Sequence, residues 1–225
     1  MIVPRVTEPF TAPAVPRVAV IVDLVDSKRV VDRRAVQEEV LRAFALADKH
    51  VNVGEPLRAT VGDEFQAVYP TLVAALEVTL LARLMLPEGV DCRFGMGRGE
   101  IVDVGDGVGG VIQDGSGWWL ARNAIDEAHR REDSRTPSLR GWFRAEGDNS
   151  ALEALVNSYL LSRDHIVGAM TQRARRLTVG TMLGRLQGEL ADEEGISQSA
   201  VSQALRRSGG GSLAAAMDEL GRVEL

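Results

Sequence analysis

The chain has 225 residues, long for one domain and short for two at roughly 150 residues each. With 45% hydrophobic and 26% charged residues it is neither disordered nor collagen-like, and no apolar run approaches the roughly 18 residues a membrane span needs. A net charge of −6 argues against a nucleic-acid binder taken as a whole. That average conceals an asymmetry. Between Thr171 and Gly209 six arginines face four acids, and taking that +2 from the overall −6 leaves −8 on the rest. An acidic body with a mildly basic C-terminal module is compatible with DNA contact, because phosphate attraction follows the local field.

Met1–Pro16 holds four prolines and an early glutamate where a signal peptide would carry an apolar core, and is expected to be an extended arm of a cytoplasmic protein. The run Val18–Val22 predicts a strand over Arg17–Leu24 buried on both faces, ending in the polar cluster Asp23, Asp26, Ser27 and Lys28. Arg33–Lys49 follows as a helix with Val36, Val40, Leu41, Phe44 and Ala47 on one stripe. Leu57–Val61 and Phe65–Tyr69 read as a hairpin around Gly62-Asp63. Thr71 is placed to cap a helix over Leu72–Leu86, which Pro87 and Gly89 stop. Asp91–Gly97 and Arg98–Val104 are predicted strands, which completes a βαββαβ or ferredoxin-like order. The six glycines of Gly105–Gly117 predict a loop that could span a further short hairpin, and they lack the lysine and hydroxyl of a phosphate loop. Trp118–Arg131 is a third helix, and Asp133–Asp148 is irregular apart from the apolar plug Trp142-Phe143. The expected fold is therefore α+β: a domain over 17–148, then an all-α domain over 151–225.

Asp23 ends a buried strand and Asp63 sits in a tight turn, so in a βαββαβ sheet the two carboxylates converge at one edge. Two carboxylates, with a backbone carbonyl such as that of Leu24, are what Mg²⁺ asks for when nucleotide phosphates complete its shell. The plainer alternative is that Asp63 serves its turn and Asp23 caps the next segment. The segments Val18–Leu24 with Asp26-Ser27, Gly62-Asp63-Glu64-Phe65, and Arg93-Phe94-Gly95-Met96-Gly97 resemble the catalytic palm of class III nucleotidyl cyclases and GGDEF-type enzymes over Arg17–Glu100. That resemblance implies a metal at Asp23 and Asp63, and a nucleotide is expected at Asp26, Ser27, Lys28 and Arg122. There are departures. Trp119 and Asn123 stand where the cyclases carry an Asn and an Arg, Arg122 faces about 100° away on a helix, and Val61 precedes Gly62 where GGDEF enzymes have paired glycines. Losing the cation costs around 10²–10³ in rate, which is consistent with a kept fold and lost cyclisation. A closer resemblance, carried by Ile21–Lys28, Gly62–Gln66, Arg93–Gly99 and especially Asp114–Arg122 joined to a helical C-terminal module, is to the SatD family of bacterial proteins. It implies the two-part architecture and supplies no reaction.

Gln187–Arg207 is the most specific segment. Leu190-Ala191 sits on a short helix, Gly195 suits a left-handed turn, and Ser197 is an N-cap for a helix starting at Gln198. With Ala200, Val201, Ala204 and Leu205 inward, Ser197, Gln198, Ser199, Ser202, Gln203, Arg206 and Arg207 form a polar face suited to base edges and phosphates, as in a helix-turn-helix. The alternative is an ordinary helical hairpin with a solvated face. Glu194 stands where such motifs place an apolar residue, and Arg173, Arg175 and Arg176 are candidate phosphate contacts. Ser208–Ser212 reads as a break before a last helix, Leu213–Leu220. His50, His129 and His165 share no ligand spacing, lone Cys92 reads as a core residue that cannot form an internal disulfide, and Trp118 and Trp119 read as core or as base-stacking. The expected function is a homodimeric transcriptional regulator that binds double-stranded DNA and has a cyclase-like sensor domain. The competing expectation is an active metal-dependent cyclase or phosphotransferase whose helices dock a partner.

Overall fold

The apolar run at Val18–Val22 becomes the central strand, β1 (Arg17–Leu24), of a five-stranded mixed sheet in a computed structural model that describes residues 16–25, 32–60, 62–107 and 110–223. α1 (Arg33–Ala47), the hairpin strands β2 (Glu55–Ala59) and β3 (Glu64–Tyr69), α2 (Leu72–Met85) and β4 (Cys92–Gly99) follow. Next come β5 (Val102–Gly107) and β6 (Gly110–Asp114), which pair only with each other, then α3 (Ser116–Ser134) and β7 (Gly141–Ala145). The chain continues as α4 (Ser150–Gly168), α5 (Gln172–Met182), α6 (Gln187–Glu194), α7 (Gln198–Ser208) and α8 (Gly210–Leu220). The protein is α+β, with the sheet order β2-β3-β1-β4-β7. β1 is antiparallel to both β3 and β4, and β4 is parallel to β7.

Side chains alternate across β1 as a strand requires. Val18, Val20 and Val22 enter the main apolar cluster with Val40 and Phe44 of α1 and the buried side of α2. The same cluster continues through Val156, Leu160 and Val167 of α4, Ala174 of α5, and Leu213 and Met217 of α8. Ala19 and Ile21 point the other way and are covered by Trp118, Ala121 and Ile125 of α3. α3 comes unusually close because β4 presents Gly95, Gly97 and Gly99 on that face. A Cβ at Gly95 or Gly97 would lie closer than 3.0 Å to backbone atoms of α3, and one at Gly99 would lie 2.5 Å from Ser116 Oγ. The Arg93–Gly97 signature thus contributes a bed for a helix.

Three expectations are corrected. The two strands expected over Asp91–Val104 form with a later boundary, β4 ending at Gly99 and β5 starting at Val102, and β5 leaves the main sheet to make with β6 the short hairpin that the glycine-rich stretch allowed. The plug Trp142-Phe143 is a strand, β7, five residues long and held beside β4, with Phe94 N donating to Arg140 O at 2.7 Å. The last helix starts at Gly210, because Gly209 alone makes the break (φ +76°) and side-chain-free Gly210 packs on Thr178. Among the described residues no helix is long and apolar enough to cross a membrane. The expected arm lies outside them but for Pro16.

Candidate functional site

The C-terminal face is built on a small separate core. Leu177 of α5, Leu190 and Ala191 of α6, and Val201 and Leu205 of α7 cluster together, with Ile196 and Ala204 packed against them. Gly195 ends α6 in the left-handed region (φ +63°), and the Ser197 hydroxyl accepts from Ala200 N at 3.2 Å to start α7. Ser197, Gln198, Ser199, Gln203, Arg206 and Arg207 are exposed on that helix or its cap, and Ser202 is half-buried. No acidic residue occurs in α7, whose last turn carries Arg206 and Arg207.

The acids at the end of α6 are balanced by α5 and the α5–α6 turn. Glu194 accepts from Arg176 Nε at 2.6 Å and Nη2 at 2.8 Å, and from Arg173 Nε at 3.2 Å. Those bonds, with Arg176's first in size, hold its carboxyl below the ordinary range. Glu193 accepts from both terminal nitrogens of Arg185 at 2.7 Å. Glu194 therefore joins α6 to α5 by charge where an apolar contact was expected. Arg175 turns inward, its Nη2 donating to Val167 O at 3.4 Å, and burial together with the nearby charge of Arg83 lowers its pKa. Of the three arginines expected at a phosphate backbone, two are held by Glu194 and the third is half-buried.

The second candidate site lies at the end of β1. Asp23 faces Glu64 of β3 and Arg93 of β4 in register, and its Oδ2 accepts from Arg93 Nη1 at 3.3 Å. Arg93 also bonds Glu132 of α3. Burial raises the Asp23 pKa despite Arg93, and the charge of Asp63 adds to the rise. Asp63 follows Gly62 in the turn (φ +80°) and lies 3.8 Å from Arg33 Nη1. Arg122 reaches the same edge, 2.6 Å from Glu64 Oε2. Asp26, Ser27 and Lys28 lie outside the described residues. Among those described, no group of three or more His, Cys, Asp or Glu side chains could hold an ion, and each aspartate already faces a guanidinium. The donor set among the described residues does not by itself fit a divalent cation.

Sequence reasoning missed a buried charge network. Asp164 of α4 accepts from Arg83 Nη1 (3.0 Å), Arg163 Nε (2.9 Å) and the backbone N–H groups of Arg140 and Gly141 (both 2.7 Å). Asp91 accepts from Arg83 Nε at 3.0 Å and Arg140 Nε at 2.8 Å. An arginine inside the apolar run of α2 was the available signal. Cys92 is buried, as expected of a core residue, and its thiol pKa is pushed up. Trp118 is buried, whereas Trp119 is exposed, not core, and donates to Asp114 Oδ1 at 3.0 Å.

The fold and its two candidate sites define an α+β protein whose sheet is continued by a bundle of short helices. A match to the SatD family spans residues 17–211, and the chain belongs to that family. A search of curated proteins found no match.

Proposed function

We propose that the protein is a DNA-binding transcriptional regulator in which α6 and α7 form a helix-turn-helix and α7 reads the duplex. The observation that carries this reading is the acid-free exposed face from Ser197 to Arg207, on a helix capped by Ser197 and seated on Leu190, Val201 and Leu205. Amide and hydroxyl tips reach base edges, and terminal arginines reach phosphates or guanine. The βαββαβ chain order and the strand order β2-β3-β1-β4 support reading the first part as a ferredoxin-like, cyclase-like unit that senses or dimerises. A two-fold pair would place two α7 helices on half-sites about 34–36 Å apart. A nucleotide with Mg²⁺ belongs to this reading only if phosphates draw Arg93 and Arg33 away from Asp23 and Asp63.

The test is selection of bound duplexes from a random pool, followed by anisotropy at fixed salt. Gln198→Ala and Arg206→Ala are expected to weaken binding, with about 1–3 kcal/mol lost per bidentate base contact and an altered preference at the base that Gln198 reads. Wild-type binding by both variants refutes the reader assignment. Incubation with Mg²⁺ or Mn²⁺ and each nucleoside triphosphate tests the enzyme reading: turnover abolished by Asp63→Ala would replace the regulator with a phosphotransferase.

A further inference from the structure

A cavity of about 440 Å³ opens between α1 and the end of α2 on one side and α5 and α6 on the other. Its floor is apolar and buried, made by Leu84, Leu86, Leu177 and Leu190. Leu46 of α1 stands in its wall, 42% exposed although large and apolar. The size falls within the roughly 300–1,000 Å³ of small-molecule sites, which are likewise apolar with a few placed polar groups. α1 packs mainly on α2 and β2, whereas α6 packs mainly on α5 and α7. The cavity is therefore the space across which the sheet unit and the first helix of the helix-turn-helix face one another.

The mouth carries three ion pairs: Arg42 with Glu39, Arg176 with Glu194 and Arg185 with Glu193. A guanidinium has five N–H donors. Arg42 gives Nη2 to its glutamate, Arg176 gives Nε and Nη2, and Arg185 gives Nη1 and Nη2. Each arginine keeps three or four donors unused, whereas Glu194 already accepts three bonds, Glu193 two and Glu39 one. Unused donors therefore outnumber unused acceptors at this mouth, which favours an entering acceptor.

We infer that the cavity binds a small amphipathic effector, with an apolar body on the leucine floor and a carboxylate at the arginine mouth, and that its occupancy fixes α6, and through it α7, relative to the sheet. The coupling to α7 rests on the DNA-binding reading above; the binding site does not. A ligand that spans α1 and α6 favours the arrangement in which both line one pocket, and it shifts DNA affinity by its preference for that arrangement.

Decanoate, kept below its micellar concentration, is the probe, titrated calorimetrically into the full chain. One saturable site per chain is expected, with decanol bound about tenfold more weakly for want of the carboxylate. Leu46→Glu, at a partly exposed position, should lower decanoate affinity about tenfold or more while leaving the unliganded melting temperature within about 2 °C. Arg42→Ala should weaken decanoate and spare decanol. Val104→Asp, on the exposed β5–β6 hairpin, should change nothing. Absence of saturable binding, or retention of it in Leu46→Glu, overturns the site. Anisotropy of a selected duplex with and without decanoate separates the two claims. Binding that changes duplex affinity less than about twofold refutes the coupling. Decanoate binding in a chain that holds no duplex under any condition refutes the regulator reading and leaves the cavity standing.

Discussion

Replacing Gly97 by alanine tests the packing of α3 on the sheet most directly. The added methyl would lie 2.9 Å from the carbonyl carbon of Leu120 and still closer to Gly117 O and Ala121 N. All three are backbone atoms of one helix, so no rotamer change relieves the clash and α3 must lift from β4. Overpacking costs typically 1–3 kcal/mol, and a clash with rigid backbone on three atoms belongs at about 3 kcal/mol. For a chain of this size each kcal/mol moves the melting temperature by roughly 2–4 °C, so a fall of roughly 6–12 °C is expected. The assay is thermal unfolding followed by circular dichroism, with Gly105→Ala as the control. Gly105 has no atom within 4 Å of its would-be Cβ, and its variant should stay within about 0.5 kcal/mol of wild type. If the two variants melt together, the close approach of α3 is not what the glycines provide.

Asp164→Ala should cost about 3–5 kcal/mol, read as a shifted urea midpoint, because it strands Arg83 and Arg163 in the interior without their shared carboxylate. Burial pushes the Asp91 pKa up, but the charges and hydrogen bonds of Arg83 and Arg140 outweigh it and leave the carboxyl below its ordinary value. A depressed folded value means stability that is complete above the unfolded pKa and lost as pH falls through the folded one. Melting temperature should therefore drop on acidification below about pH 4, and less steeply in Asp91→Asn. Glu194→Gln should free Arg173 and Arg176, raising non-specific duplex affinity and steepening its dependence on salt by about one to two in the log–log slope; an unchanged slope would place both arginines away from DNA.

What the sequence disclosed followed from periodicity and local stop signals. The apolar run of β1, the stripe Val40–Phe44–Ala47, the cap at Thr71 and the turn at Gly195 all act within a few residues. β7 was hidden because a five-residue parallel strand gains its hydrogen bonds from β4, far away in sequence. Gly95, Gly97 and Gly99 were legible as a motif but not as a helix bed, since their role appears only once α3 lies across them. The exposed face of α7 could be read from helical spacing. The engagement of Asp23 by Arg93 depends on strand register, and that of Glu194 by α5 on a tertiary approach, so neither was visible in advance.

α5 and α8 both put side chains into the main core, Ala174 from one and Leu213 and Met217 from the other, and Tyr159 donates to Met217 Sδ at 3.1 Å. The helices bracketing the α6–α7 pair are thus rooted in the body and not hung from it. In any paired assembly the distance separating the two α7 helices would be dictated by how the bodies abut. Under the proposed DNA-binding reading, operators with an inserted or deleted spacer base pair should then be rejected outright, whereas a regulator on slack tethers would accommodate them.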